Sequence, residues 1–464
     1  MFEEFEYKGN WWLPDEPEKQ TPGTLRFNPR EGAVLDLIGS FKDITIESMF
    51  KMLSSQIIML SPQIILGTSS NGKDITLYKC LETKLTPSFP GIPLSSFYAH
   101  VVFVGTHFQR PEDIKFKKVY IHYLHLDEWV DLSGFNIEIP PSPSKDEIII
   151  KYKLPIPVEV SLKDDYRMRI AFGFEGPTLS AVQKEAGVKQ ETYIKIEASE
   201  EKPFEEHMRI IHMTQDFLSL GVGEPVYPLT IEGTTEVGET VKSERTPVGV
   251  FYSPKNIPKV TKTLLPFEML FTFKDIKAKF GVLLNNWFEK AELLEPVYGL
   301  YFGTLYDSRM YSEHRFLSLI QAVESYHSRV TENCELPQER HNKRIEEILT
   351  MAPPNHKDWL RSKLEYSNHP ILRKRLREIY DKYSTIVNFE GDGKAFVHKV
   401  WATRNYFTHF DKKLKAEAAE GEELYHITQK LKILLEACLL AELGFSLNEI
   451  ENLFSRSKAN RLSE

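Results

Sequence analysis

Cysteine is scarce in this chain: Cys80, Cys334 and Cys438 are the three in 464 residues, and no pair has the short spacing of a zinc site or a redox motif. Thiols so few and so far apart exclude a disulfide-built scaffold and predict a reducing compartment, the cytosol. No apolar run approaches the roughly eighteen residues of a membrane-spanning helix. The N-terminus, Met1-Phe2-Glu3-Glu4-Phe5-Glu6, has neither the basic start nor the apolar core of an export signal, so no export is expected. Glycine-rich phosphate loops are missing too. Nothing matches Walker A, and no G-x-G-x-x-G opens a helix, so no nucleotide cofactor is expected. A basic excess is also lacking, and a net charge of −8 argues against a surface coated throughout for nucleic acid.

What is present is length and an uneven charge distribution. A chain of 464 residues exceeds what one core serves and predicts two or three domains. Residues 311–464 hold 24 basic and 23 acidic side chains, so all of the acidic excess lies before them. That contrast makes the C-terminal third the RNA-facing part, if either part is.

The first three hundred residues read as mostly β. Runs of β-branched and aromatic residues between turn formers fall at Ala33–Ile38, Ile64–Leu66, Ile75–Tyr78, Tyr98–Val104 and Val119–Tyr123, a spacing that suggests a sandwich or curved sheet. Pro140-Pro141-Ser142-Pro143-Ser144 marks a possible subdomain break near 140–146, and strands resume at 147–152, 158–162, 169–174 and 193–197. A helix is expected over Pro203–Leu220 with Gly221 as its stop, then strands at Val248–Tyr252 and Phe267–Phe273. Behind them the period becomes helical. Phe316, Ile320, Val323 and His327 form one stripe, with Leu317, Ile320, Glu324 and His327 beside it. Further helices are predicted over 337–349, 359–366, 371–383, 394–410 and 424–441, and Ser446 is placed to cap a short tail helix. The fold class is therefore α+β and multidomain: a β-rich, sandwich-like part over 1–300, then an all-α bundle over 301–464.

Within that bundle Arg404-Asn405-Tyr406-Phe407-Thr408-His409 stands out chemically. A guanidinium offers forked donors to phosphate oxygens, and an imidazole exchanges protons near neutrality without a metal. Residues five apart lie about 140° apart around a helix. Arg404 and His409 therefore do not share a face, whereas Asn405 and His409 do. Arg404 falls instead in line with Val397, Val400 and Phe407, the stripe that should face the bundle, where a charge is costly unless paired or open to a cleft. Either the helix frays near Thr408, or a second subunit completes the site.

These residues resemble a known family. The C-terminal third looks like a HEPN domain of the ApeA-like kind, through Arg404 to His409, which fits the R-x4-6-H motif, and through the earlier helix Arg315 to His327. The N-terminal part is similar to the domain preceding it in ApeA proteins, through Gly9-Asn10-Trp11-Trp12-Leu13-Pro14, Ile65-Leu66-Gly67-Thr68 and Leu126-Asp127-Glu128-Trp129. The resemblance implies a metal-independent endoribonuclease that dimerises so that motifs from two subunits form one cleft. It also implies antiphage defence by abortive infection, with transfer RNA or another host RNA as target and a phage product as trigger. Carried over by position, Arg404 and His409 are the catalytic pair and Asn405 the polar residue after the arginine. Glu324 is the candidate for an acidic group from an earlier helix. The rival reading is a non-catalytic binding protein whose bundle only dimerises or docks; a toxin neutralised by a separate partner shares the chemistry but not the regulation.

Arg373, Lys374, Arg375 and Arg377 form the densest basic run, and Lys412, Lys413 and Lys415 follow the motif. Both sets are candidates for RNA phosphates, with a solvated helix face as the alternative. A metal at His122, His125, His100 and His107 is disfavoured, because His122 and His125 would point to opposite faces of a strand and no cysteine pair joins them. Trp11, Trp12 and Trp129 are expected in the core rather than on a binding surface.

Overall fold

The computed structural model describes residues 3–42, 62–88, 90–138, 148–180, 184–235, 247–254, 263–387 and 392–461. Two compact units result, Met1–Gly281 and Val282–Glu464, the first built mainly of strands and the second of helices, so the chain is α+β. The expected break near 140–146 lies outside the described residues.

In the first unit the strands are β1 (Phe5–Trp12), β2 (Thr21–Asn28), β3 (Gly32–Ile38), β4 (Ile64–Ser69), β5 (Asp74–Thr86), β6 (Leu94–Val104) and β7 (Lys115–Tyr123). They continue with β8 (Phe135–Glu138), β9 (Ile149–Tyr152), β10 (Val158–Ser161), β11 (Tyr166–Ser180), β12 (Glu185–Pro203), β13 (Pro228–Thr234) and β14 (Val248–Phe251). Among the described residues twelve of them make one antiparallel sheet in the order β10-β11-β12-β7-β13-β14-β6-β3-β2-β1-β4-β5, while β8 and β9 pair separately. A further pairing of β5 with β6 closes the last six strands on themselves. The result is a barrel with a sheet running out of it, and this corrects the expected sandwich.

Strand β6 is the branch point. Its first half, Leu94–Ala99, pairs with β3, and its end, Val102–Val104, pairs with β14 on the same edge, while β5 occupies the other. Closure removes the exposed edges that an open sheet would carry. Alternate residues fill the barrel: Leu25 and Phe27 of β2, Leu35 and Leu37 of β3, Ile75 and Leu77 of β5, and Trp11 of β1 are all buried. Trp11 faces Gly67 of β4, where an added Cβ would lie 2.2 Å from the indole, so only glycine leaves it room. Trp12, one residue on, points the other way and meets His107 edge to face, with centroids 5.2 Å apart.

Helix α1 (Leu126–Val130) carries buried Trp129, and α2 (Phe204–Val222) lies on β7 and β12. The helix α2 ends two residues later than expected, at Gly223 in the left-handed conformation (φ 80°). Gly221 lies inside the helix because a Cβ there would meet the Trp129 indole at 2.6 Å. The strand expected at Phe267–Phe273 is absent: after a single 3-10 turn the segment runs, with Met269 to Phe271 fully buried, into α3 (Phe273–Ile276). The apolar core of this segment, Met269 to Phe271, is too short to carry a period that separates strand from buried coil.

The second unit comprises α4 (Phe280–Glu289), α5 (Ala291–Tyr306), α6 (Ser312–Val330), α7 (Gln338–Met351), α8 (Lys357–Leu364), α9 (Leu372–Val387), α10 (Gly393–His409), α11 (Gly421–Leu443) and α12 (Leu447–Arg461). Helix α6 is its centre, packed by α5, α9, α10 and α11. Helix α4 belongs here too: Asn286 donates to the Leu443 carbonyl (2.8 Å) and Trp287 stacks on Tyr298. The division therefore falls at 281/282 rather than near residue 300. Ser446 caps α12 with Glu449, whose carboxylate accepts from the Ser446 amide (2.8 Å) and hydroxyl (2.9 Å), while the Ser446 hydroxyl accepts from the Glu449 amide.

Burial lowers the pKa of three imidazoles in the first unit, His125, His207 and His212. Folded, they stay neutral where the unfolded chain takes up protons, so their contribution to stability is intact above about pH 6.5 and declines as pH falls below it. The urea midpoint of this unit should therefore drop between about pH 7.5 and 5.5. His207→Gln, at a ring that meets the Phe116 carbonyl (2.8 Å), should reduce that drop.

Candidate active site

Helix α10 begins where Asp392 accepts a hydrogen bond from the Lys394 amide (2.9 Å), an N-cap. Gly393 opens it because a Cβ would lie 2.2 Å from the Tyr380 ring of α9. Val397, Val400, Ala402 and Thr403 are buried, and Phe407 meets Phe316 of α6 edge to face. Thr403 donates to the Lys399 carbonyl (2.7 Å) and accepts from the Ala419 amide (2.9 Å), tying the loop that leaves α10 back along it. The helix runs unbroken through Thr408, whose hydroxyl donates to the Arg404 carbonyl (2.7 Å), and closes at Phe410 in the left-handed conformation (φ 52°). Fraying near Thr408 therefore does not bring Arg404 and His409 together.

Arg404 is half-buried on the bundle side, as its place in the apolar stripe requires, and it is paired. Its guanidinium lies 3.5 Å from the Glu324 carboxylate of α6 and donates to the Asn405 side-chain oxygen (3.1 Å). Arg375 of α9 joins them, donating to the Glu324 carbonyl (3.4 Å) and the Pro370 carbonyl (2.8 Å). The structure thus brings Glu324, Arg404 and Asn405 into one cluster between α6 and α10. His409 stands apart, exposed at the helix end with no hydrogen bond or ion pair among the described residues. One chain thus carries a paired guanidinium and a free imidazole that face different directions.

The basic run is largely occupied. Arg373 lies with its guanidinium carbon 3.5 Å from the centre of the Trp401 ring and donates to His398 Nδ1 (3.2 Å). Lys374 is 3.8 Å from Glu335, and Arg377 donates to Asp381 (2.9 Å). Lys412 and Lys413, by contrast, are exposed just beyond His409. His398 and Trp401 were missed in the sequence, although a signal was there. His398, Trp401, Asn405 and His409 recur at intervals of three, four and four, which places them on one face of α10.

Other candidates resolve differently. His107 bonds to the Gly67 carbonyl (2.9 Å), His122 packs on Tyr193, and His100 packs on Tyr98. Trp11 and Trp129 are core residues. Cys438 is buried, and burial pushes its thiol up, which leaves it no nucleophile.

The family model described as ApeA N-terminal domain 1 matches residues 6–287, and that described as Apea-like HEPN matches residues 317–449. No curated protein and no solved structure matches.

Two substitutions separate the parts of this site. Thr403→Val strands the buried Ala419 amide and should cost about 1–3 kcal/mol in urea unfolding. Glu324→Gln, at a partly exposed pair, should cost under about 1 kcal/mol. Equal losses would contradict this assignment of the buried contact.

Proposed function

The chain belongs to the ApeA family, and on that premise we propose that it is an antiphage protein whose helical unit is an endoribonuclease that works without a metal. The observation that carries this reading is the pairing in α10 of a partly buried, oriented guanidinium with a free, solvent-facing imidazole. The first suits a phosphate whose charge grows in the transition state, and the second suits proton transfer.

In the reaction the ribose 2′-oxygen attacks the adjacent phosphorus and the bond to the 5′-oxygen breaks. The products are a 2′,3′-cyclic phosphate and a 5′-hydroxyl. His409 takes the 2′-hydroxyl proton or delivers one to the leaving 5′-oxygen. Arg404 binds the phosphate and its transition-state charge. Asn405 holds one arm of that guanidinium, as Glu324 holds another, so the fork is positioned before RNA arrives. Lys412 and Lys413 contact phosphates beside the cut.

Because an unbroken α10 turns Arg404 and His409 away from each other, the working enzyme is a homodimer, or a larger assembly, in which the arginine of one subunit serves with the histidine of the other. Transfer RNA or other host RNA is the substrate, and its loss in the cytoplasm aborts infection. The β-rich N-terminal part is the sensor that restrains the nuclease until a phage product binds.

Cells expressing wild type, Arg404→Ala or His409→Ala, with and without phage, test the proposal when small RNA is resolved on a gel. Wild type should protect and, once infected, yield fragments ending in cyclic phosphate, also in purified reactions with EDTA when extract of infected cells supplies the phage product. Each variant should lower cleavage about a hundredfold or more. Protection that persists without either side chain would make the bundle a scaffold and sink the nuclease reading.

A further inference from the structure

The face of α10 that carries Asn405 and His409 also carries Trp401, one helical turn earlier, and His398 before it. The indole is half-buried, with one cation and one ring against it. The Arg373 guanidinium lies flat enough to put its carbon 3.5 Å from the ring centre, and it donates to His398 Nδ1 at 3.2 Å. A hydrogen bond to Nδ1 lies in the imidazole plane. The His398 ring, 5.7 Å from the indole at an interplanar angle of 28°, is therefore in the same layer as the guanidinium. Since Nδ1 accepts, Nε2 carries the proton and donates to the Glu417 carboxylate (2.9 Å), which fixes the layer to the returning loop. Among the described residues no other ring or cation lies against Trp401.

We propose that Trp401 is a base-stacking platform: its second face takes the unpaired base of a nucleotide next to the scissile phosphate, while Arg373 and His398 support the indole from behind. The inference rests on α10 being the RNA-cutting helix. Its scale fits that role, because Trp401 is about 6 Å along the axis from Asn405 and about 12 Å from His409, the reach of a neighbouring nucleotide or two. Bases turned out of loops stack on aromatic rings, and every base has a face to offer. The guanidinium behind the ring also explains why Arg373 is not itself offered to a phosphate. Its charge is spent on the indole, which it polarises and holds flat.

The full-length chain carrying His409→Ala, which leaves RNA uncut under the nuclease reading, is titrated with bulk transfer RNA alone and with Trp401→Ala or Trp401→Phe added. Trp401→Ala should weaken binding about tenfold or more, and Trp401→Phe should stay within about threefold. Circular dichroism and sedimentation should be unchanged in both. RNA should also quench the parent's tryptophan fluorescence more than that of the Trp401→Phe chain, a reading that holds even if the alanine variant misfolds. Unchanged affinity in Trp401→Ala, or equal quenching, would overturn the platform. Loss of self-association with the affinity per dimer unchanged would overturn it too and place Trp401 at the subunit contact. Weaker binding in Trp401→Ala while the wild type cuts no RNA even with extract of infected cells would sink the nuclease reading and leave the platform standing.

Discussion

A charged side chain on the buried side of a helix must be neutralised where it stands, and that constraint on Arg404 organises the second unit. Its guanidinium is 3.5 Å from Glu324 and is steadied by Asn405. The buried stripe of Val397, Val400, Ala402 and Thr403 sets the rotation of α10 in the bundle, and Arg404, beside that stripe, takes Glu324 as its partner. With Arg404 on the bundle side, His398 and His409 lie about 120–140° round the helix and are exposed, while Trp401 and Asn405, nearer to it, are half-buried. The unbroken last turn, closed at Phe410, then keeps the imidazole away from the guanidinium of its own chain. The proposed dimer follows, in this sense, from a half-buried charge.

The first unit rests on a different constraint, the satisfaction of strand edges. By pairing with β3, β5 and β14, β6 closes six strands and still hands the sheet on to β14 and beyond. Trp11 can fill the barrel only because Gly67 yields the space a side chain would take.

Sequence pattern reached some of this and not the rest, for physical reasons. The helices of the second unit were legible because their apolar stripes repeat at three and four, and Ser446 announced the last one. The misfit of Arg404 was legible too, since a charge in line with Val397 and Val400 demands a partner, and the stripe beside Phe316 offered Glu324. Barrel closure was not legible, because alternation tells which face of a strand is buried but not which strand lies at its edge. Gly221 looked like a stop signal, but its role is to let Trp129 pass. The surroundings of the basic run from Arg373 to Arg377 were not legible, since a sequence cannot separate an arginine facing solvent from one that meets a carbonyl, a carboxylate or an indole.

The account depends most on two chains sharing one catalytic site. Its sharpest test is to mix purified Arg404→Ala and His409→Ala chains, let subunits exchange, add extract of phage-infected cells to supply the trigger, and follow RNA cleavage. Each variant alone should be inactive, and the mixture should regain activity, because one site of a mixed dimer keeps an intact arginine from one chain and an intact histidine from the other. A mixture in which subunits demonstrably exchange, yet which stays as inactive as its components, would contradict the shared site.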